Sequence, residues 1–173
     1  MGGANHLAHF VYESRFGFMS VQFTIRPYRA DDFDAVTILW RVAREKSLPE
    51  FQMTKGYFFY QDQQYFQNHV LRENTVWVAE VDGRPAAFMA QNGEFVDQLY
   101  VHPDHWRQGL GQALLEIARQ HSPEHVWLYT LQVNVNARAF YEKNGFAAEK
   151  FGMSPPPESE PDVEYHWRKA GTG

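Results

Sequence analysis

The sequence predicts a mixed α/β fold, an α+β arrangement of one central sheet flanked by helices, on three observations. Val21, Phe23 and Ile25 alternate with polar neighbours, the period of a half-buried strand. Residues 75–81 and 85–91 flank Asp82-Gly83, a dipeptide whose positive φ angles suit a tight hairpin turn, so two strands pair antiparallel there. Leu110, Ala113, Leu114, Ile117 and Ala118 recur at helical spacing, forming an amphipathic helix that Ser122-Pro123 ends.

Taken in order, Met1 to Phe18 mixes Gly, His and scattered aromatics with no helical or strand period. It reads as an extension (1–18) ahead of a single domain over 19–170, with Met19 as an alternative start. Gly2 sits as in a myristoylation signal, yet His6 occupies the place of the required Ser or Thr. The first strand runs to Pro27; Asp31, Asp32 and Asp34 then place acid in the first turn of a helix whose buried stripe is Phe33, Val36, Trp40 and Ala43. After Pro49 an aromatic-rich loop leads to a second helix ending near Asn74. Beyond the hairpin, residues 94–101 form a strand that enters His102-Pro103-Asp104-His105 and then Gly109-Leu110-Gly111, where the amphipathic helix opens. Residues 126–131 are a strand, 134–143 a short helix stopped by Asn144-Gly145, and 146–153 another strand. A proline-rich loop from Pro155 to Pro161 precedes a last strand at 163–168.

Composition narrows the function. A chain of 173 residues, 44% apolar, with 14 Phe, 9 Tyr and 5 Trp, fits one globular domain with a large core and excludes a disordered chain. Sixteen Lys and Arg against 21 Asp and Glu give a net charge of −5, without the basic excess that neutralises phosphate backbones, so no nucleic-acid partner is expected. The absence of cysteine removes disulfides, thiolate nucleophiles and Cys-based zinc sites and makes the cytoplasm the default compartment. No apolar run approaches the ~20 residues that span a bilayer, and the first 30 residues hold no signal-type segment, so no membrane role is expected.

A strand that enters a glycine-containing loop and then a helix is a physical recipe for phosphate binding. The first helical amides have no internal partner and point outward along the positive end of the helix dipole. Trp106-Arg107-Gln108-Gly109-Leu110-Gly111 fits that recipe, with Arg107 adding charge. It is neither a Walker loop, which needs Gly-Lys-Ser/Thr, nor a dinucleotide fingerprint, which needs a third glycine where Leu114 stands. By itself a Gly-x-Gly also marks an ordinary turn or a close packing contact.

The flanks carry more. Gln98-Leu99-Tyr100-Val101-His102-Pro103-Asp104 before the loop, Gln112-Ala113-Leu114-Leu115 after it, and the later pattern of Asn134, Ala137, Phe140-Tyr141-Glu142-Lys143 and Gly145-Phe146 together resemble the GCN5-related N-acetyltransferase (GNAT) family over about residues 94–146. Trp106 departs from the Gln or Arg usual at its place. The resemblance implies the acyl-coenzyme A N-acyltransferase fold, a twisted, mostly antiparallel sheet with one splayed parallel strand pair, and acetyl-coenzyme A as co-substrate without a metal. It implies that the backbone of Leu99, Tyr100 and Val101 pairs with the pantetheine arm. The pyrophosphate would sit on the amides of Arg107, Gln108, Gly109, Leu110, Gly111 and Gln112, with Asn134 and Phe140 against the cofactor. Tyr141 matches the general acid, best placed as a hydrogen-bond donor, since full transfer from a phenol (pKa ~10) to a thiolate (~8.5) is uphill by about 2 kcal/mol.

The acceptor implied is a primary amine, small or on a peptide or protein, attacking directly. A lysine-type amine is neutral in only about one molecule in a few thousand at pH 7, so a base must take its proton. Asp97 is the preferred candidate and Glu94 the alternative, acting directly or through water. Aromatics between Tyr57 and Phe66 either wall the acceptor pocket or fill the core, and His102 with His105 reads as a surface loop. Homodimers are common in the resembling family. The rival readings are another acyl-coenzyme A-dependent transferase and a catalytically inactive coenzyme A-binding sensor.

Overall fold

Asp82 and Gly83 adopt positive φ angles of 51° and 72° and close the hairpin that the dipeptide predicts. Around it lies the fold of a computed structural model that describes residues 8–12, 21–156 and 158–171. The elements are β1 (Ala8–Tyr12), β2 (Val21–Pro27), α1 (Phe33–Ser47), α2 (Pro49–Lys55), α3 (Phe59–Tyr65), a π-helical turn (Phe66–Val70) running into α4 (Leu71–Glu73), β3 (Thr75–Val81) and β4 (Arg84–Asn92). There follow β5 (Phe95–Val101), α5 (Leu110–His121), β6 (His125–Leu131), α6 (Val135–Lys143), β7 (Ala147–Met153) and β8 (Pro161–Arg168).

The strands form one sheet in the order β1-β2-β3-β4-β5-β6-β8-β7. All neighbours run antiparallel except β5 and β6, which α5 connects. One face carries α5, whose Leu114, Leu115 and Ile117 pack with Met89, Val126 and Leu128; the other carries α1, whose Val36, Leu39 and Trp40 pack with Phe66, Val70 and Phe88. Each fully buried Leu or Val contributes about 1.5–3 kcal/mol of burial free energy. Asp32 does more than complement the helix dipole: with Glu80 it holds the buried Arg26 guanidinium, at 2.7 Å and 2.5 Å.

Two elements differ from the sequence reading. Part of the segment read as an extension supplies β1, with Ala8 opposite Ile25 and Tyr12 opposite Val21. An edge strand pairs on one side only, so no two-faced pattern need mark it. The remaining residues of Met1 to Phe18, and the alternative start at Met19, lie outside the described residues. After Pro49 the expected loop is the helix α2, because proline at a first helical position loses no needed N–H and already has a helical φ.

Two irregularities in β5 position the site. Ala90 faces Gln98 and Gln91 faces Val96, so Asp97 is an extra, unpaired residue, a β-bulge. The bulge resets the alternation, and Val96, Leu99 and Val101 all join the core on the α5 face. Against β6, a single register pair, Phe95 opposite Trp127, holds the parallel strands together among the described residues; beyond it they part.

Candidate active site

At the end of β5 the backbone is tied down before the glycine loop begins. Trp106 donates its indole N–H to the Val101 carbonyl at 2.8 Å, so the residue that departs from the family pattern anchors the loop to the strand. Arg107 (φ 64°) and Gly109 (φ 86°) both take left-handed conformations, which turn the chain sharply into α5. For arginine this costs roughly 1–3 kcal/mol of backbone strain. The Gly109 carbonyl accepts the first intrahelical bond, from Ala113 N–H at 3.0 Å, so the amides of Leu110, Gly111 and Gln112 have no acceptor inside the helix. At Gly111 a Cβ would lie 3.0 Å from the Phe140 ring, and its absence lets α6 close against the start of α5. The Gln108 side chain is held by His105 Nδ1 at 2.9 Å and by the Asp104 carbonyl at 3.1 Å, while Arg107 is exposed. His102 Nδ1 accepts the Asp104 N–H, and among the described residues no cluster of three or more His, Asp or Glu could hold a metal.

The edge of β5 facing the gap can be read from its other edge. The His102 N–H donates to the Ala86 carbonyl at 2.8 Å, and bonded pairs alternate along antiparallel strands, so Tyr100 exchanges its backbone bonds with Phe88 of β4. Leu99 and Val101 therefore turn their amides and carbonyls toward the gap, the Val101 carbonyl being shared with Trp106. Of the three residues expected to present backbone there, Tyr100 presents only its ring, stacked 5.9 Å from that of Phe88.

Tyr141 lies where the gap meets the cavity. It is 8% exposed, with Phe146 and Tyr165 rings at 5.8 Å and 5.9 Å, and its hydroxyl has no hydrogen-bond partner among the described residues. Burial, reinforced by Tyr100, pushes its phenol well above the ordinary value, so it holds its proton firmly. Asn134 caps α6, its Oδ1 accepting the Ala137 N–H at 3.1 Å.

The splayed strands open into a cavity of about 640 Å³. Its walls are α1 (Trp40, Arg44), Tyr57 and Tyr65 from the aromatic run, and the loop between β7 and β8. Phe66 from that run is fully buried in the core instead. Asp62 is neutralised by Arg41 and Arg44 at 2.8 Å and 2.9 Å. Asp97 lines the cavity from the bulge, and its carboxylate accepts from Asn74 Nδ2 at 3.2 Å. Burial pushes the Asp97 carboxyl up, the Gln98 and Asn74 bonds opposing and the Glu73 charge adding. Glu94, the alternative base, is bonded to His125 Nδ1 at 2.8 Å, not placed in the cavity wall. Three contributors escape the sequence reading: Asn74 as partner of Asp97, and Glu158 and Asp162, which line the cavity from the far side. Nothing local marks them, since strands distant in sequence bring them together.

The profile of the acetyltransferase (GNAT) domain matches residues 72–148, which span the Asp97 bulge, the glycine loop and Tyr141. The chain is 30% identical over 80 residues to YafP, an uncharacterized N-acetyltransferase of Escherichia coli (strain K12), covering 46% of this chain and 51% of that one. It is 37% identical over 71 residues to YiaC of the same strain, a peptidyl-lysine N-acetyltransferase, covering 40% and 48% respectively. The chain thus matches about half the length of these curated relatives. In fold it is similar to the solution structure of apo-form YjaB from Escherichia coli, with a TM-score of 0.72 at 22% identity over 86% of this chain and 99% of that one. Residues 72–148 thus carry the match to the acetyltransferase (GNAT) domain, and the strand order with its single parallel pair and the glycine loop at α5 agree with the resemblance carried by the sequence.

Proposed function

We propose that this protein transfers an acetyl group from acetyl-coenzyme A to a primary amine by direct attack. The observation that carries this reading is the continuity of one cleft: unpaired helix amides at one end, the open β5 edge along it, and Tyr141 where it meets the cavity. Acetyl-coenzyme A supplies an activated thioester when bound. The amides from Arg107 to Gln112 receive its pyrophosphate at the positive end of α5. The strand amides of Leu99 and Val101 orient the pantetheine, beside Asn134 and Phe140, and the Tyr141 hydroxyl donates to the sulfur as charge develops on it. Asp97 takes the proton of the entering amine, directly or through a water it orders; its raised pKa narrows the gap to the ammonium and suits it to a base.

A lysine side chain on a peptide is the favoured acceptor, supported by the activity named for YiaC and by the aromatic, carboxylate-bearing cavity. The lack of cysteine favours the cytoplasm, and no described helix is long and apolar enough to cross a membrane. A homodimer is part of the same proposal by family likeness. Purified protein with acetyl-coenzyme A and a lysine-containing peptide is expected to release free thiol in step with acetylated peptide. A folded protein that binds acetyl-coenzyme A yet releases no thiol with any amine acceptor would support the inactive-binder reading, and preference for a longer acyl donor would support the other transferase reading.

A further inference from the structure

Asp162, near the start of β8, is 7% exposed and lines the wall of the cavity opposite β5. Its carboxylate has no hydrogen-bond donor and no ion-pair partner among the described residues; its backbone lies in the ladders with Leu131 and Gly152, and its carbonyl also accepts from Gln132 Nε2 at 2.9 Å. Its carboxylate faces the cavity with its acceptor positions open, so a cation that enters the cavity can complete it. The neighbouring strand makes room for it. Gly152 of β7 stands opposite Asp162, and a Cβ there would lie 3.1 Å from Asp162 Oδ1. Glu158 stands at the cavity mouth, near enough for the two charges to act on each other, with no ion-pair partner among the described residues. The wall cations are already committed, Arg44 to Asp62 and Lys55 to Glu160 and the Glu158 carbonyl.

Asp97 and Asp162 therefore place carboxylates on two walls of one cavity, on strands separated by β6. Neighbouring strands are about 4.8 Å apart, so an acceptor touching both must extend across roughly 10 Å or more. Tyr57, Tyr65 and Tyr129 line the space between, surfaces on which an alkyl chain and its charged ends pack well. Given the acetyltransfer reading above, we infer that Asp162 is a specificity residue that binds a second positive charge on the acceptor, so that the enzyme selects dicationic amines whose other amine reacts beside Asp97.

The test compares a graded series of α,ω-diamines with monoamines of matched chain length, and lysine peptides with an adjacent arginine against the same peptides with a neutral residue there. The wild-type protein is expected to favour the dicationic member of a set by at least about tenfold in kcat/KM, the worth of one shielded charge pair. Asp162→Asn brings that ratio close to one, chiefly by raising KM for the dication. Gly152→Ala keeps every charge and is expected to lower the ratio by a smaller factor, because its Cβ would press on Asp162 Oδ1 and shift the carboxylate slightly. Preference confined to free diamines identifies a small-molecule acceptor, and preference confined to the peptides a basic protein segment; either supports the role of Asp162. Calorimetry with a bis-quaternary ammonium probe, which cannot be acetylated, supplies a readout apart from turnover: it binds wild type and loses at least about tenfold in affinity in Asp162→Asn. Turnover of amines without dication preference, a ratio unmoved by Asp162→Asn, or a changed kcat and pH profile at constant ratio overturns the inference. Absence of thiol release with every amine, alongside normal probe binding, would instead overturn the acetyltransfer reading and leave the cation site standing.

Discussion

The two ends of the cleft are made of different material. The loop end is backbone: left-handed turns at Arg107 and Gly109, unpaired amides at the start of α5, and the strand edge of Leu99 and Val101. The cavity end is side chain: Asp97 on a bulge, Asp162 across the gap, and tyrosines from separate elements. A backbone site needs a few residues at fixed spacing and tolerates many side chains around it. A side-chain site needs particular groups brought from distant segments, and changing one alters what it accepts. On the proposed function, the comparison teaches that variation in the first region is expected to cost co-substrate binding and variation in the second to redirect the choice of acceptor.

Tyr141, at the joint between the two ends, gives the largest expected effect. Tyr141→Phe keeps the packed ring and removes the donor, so single-turnover rate falls by about 10²–10⁴-fold while acetyl-coenzyme A affinity, measured by calorimetry on the same folded protein, stays within about threefold. A rate near wild type would make Tyr141 part of the core alone. On the acceptor side, Asp97→Asn lowers kcat by about 10²-fold at pH values where the wild-type carboxylate is ionised. The sign follows from the burial that raises its pKa: as pH falls through that raised value the base is protonated and wild-type turnover drops, whereas the variant has no such limb. A pH profile of Asp97→Asn with the wild-type acid limb intact would return the base role to Glu94 or to a water chain.

On the backbone side, Gly109→Val forces a β-branched residue into a left-handed conformation. Acetyl-coenzyme A binding is expected to weaken by about 10–100-fold, the equivalent of 1–3 kcal/mol of backbone strain. Unchanged affinity in the folded variant would show that the amides of this loop are not the phosphate site. The smallest effect belongs to neither end. Shortening the chain to start at Met19 removes β1 from the sheet edge, and turnover is expected to stay within about twofold while Tm falls by about 2–4 °C for each kcal/mol of edge pairing lost. A shortened protein that keeps its Tm and loses activity would make the N-terminal segment part of the acceptor site.

What was legible in the sequence follows the same division. The Asp82-Gly83 hairpin, the stripe of α5 and the glycine loop are local patterns, and each stands where its spacing predicts it. The parallel pair and its splay came through the family resemblance, since no residue of β5 or β6 announces its neighbour. The Asp97 bulge stayed hidden because residues 94–101 carry no strict alternation against which an extra residue could be counted; only the register against β4 shows it. Asp162 stayed hidden for a stronger reason: its meaning depends on Gly152, on a cavity lined from α1 to β8, and on a carboxylate without a partner among the described residues, none of which is sequence-local. At Trp106 the sequence shows a departure and the structure supplies a use, the bond to Val101.

The parting of β5 and β6 also bears on how the molecule holds together. Beyond Phe95 and Trp127 the sheet is two half-sheets that share the α5 core but no ladder. A molecule that lies in the gap and bonds to Leu99 and Val101 acts as a missing strand, a seam closing the fabric. Bound only by the folded chain, it adds stability by mass action, about 2.7 kcal/mol when present at a hundred times its Kd. On the proposed function that molecule is the co-substrate itself, and saturating acetyl-coenzyme A is expected to raise the Tm of the folded protein, the bound ligand stitching the two halves together.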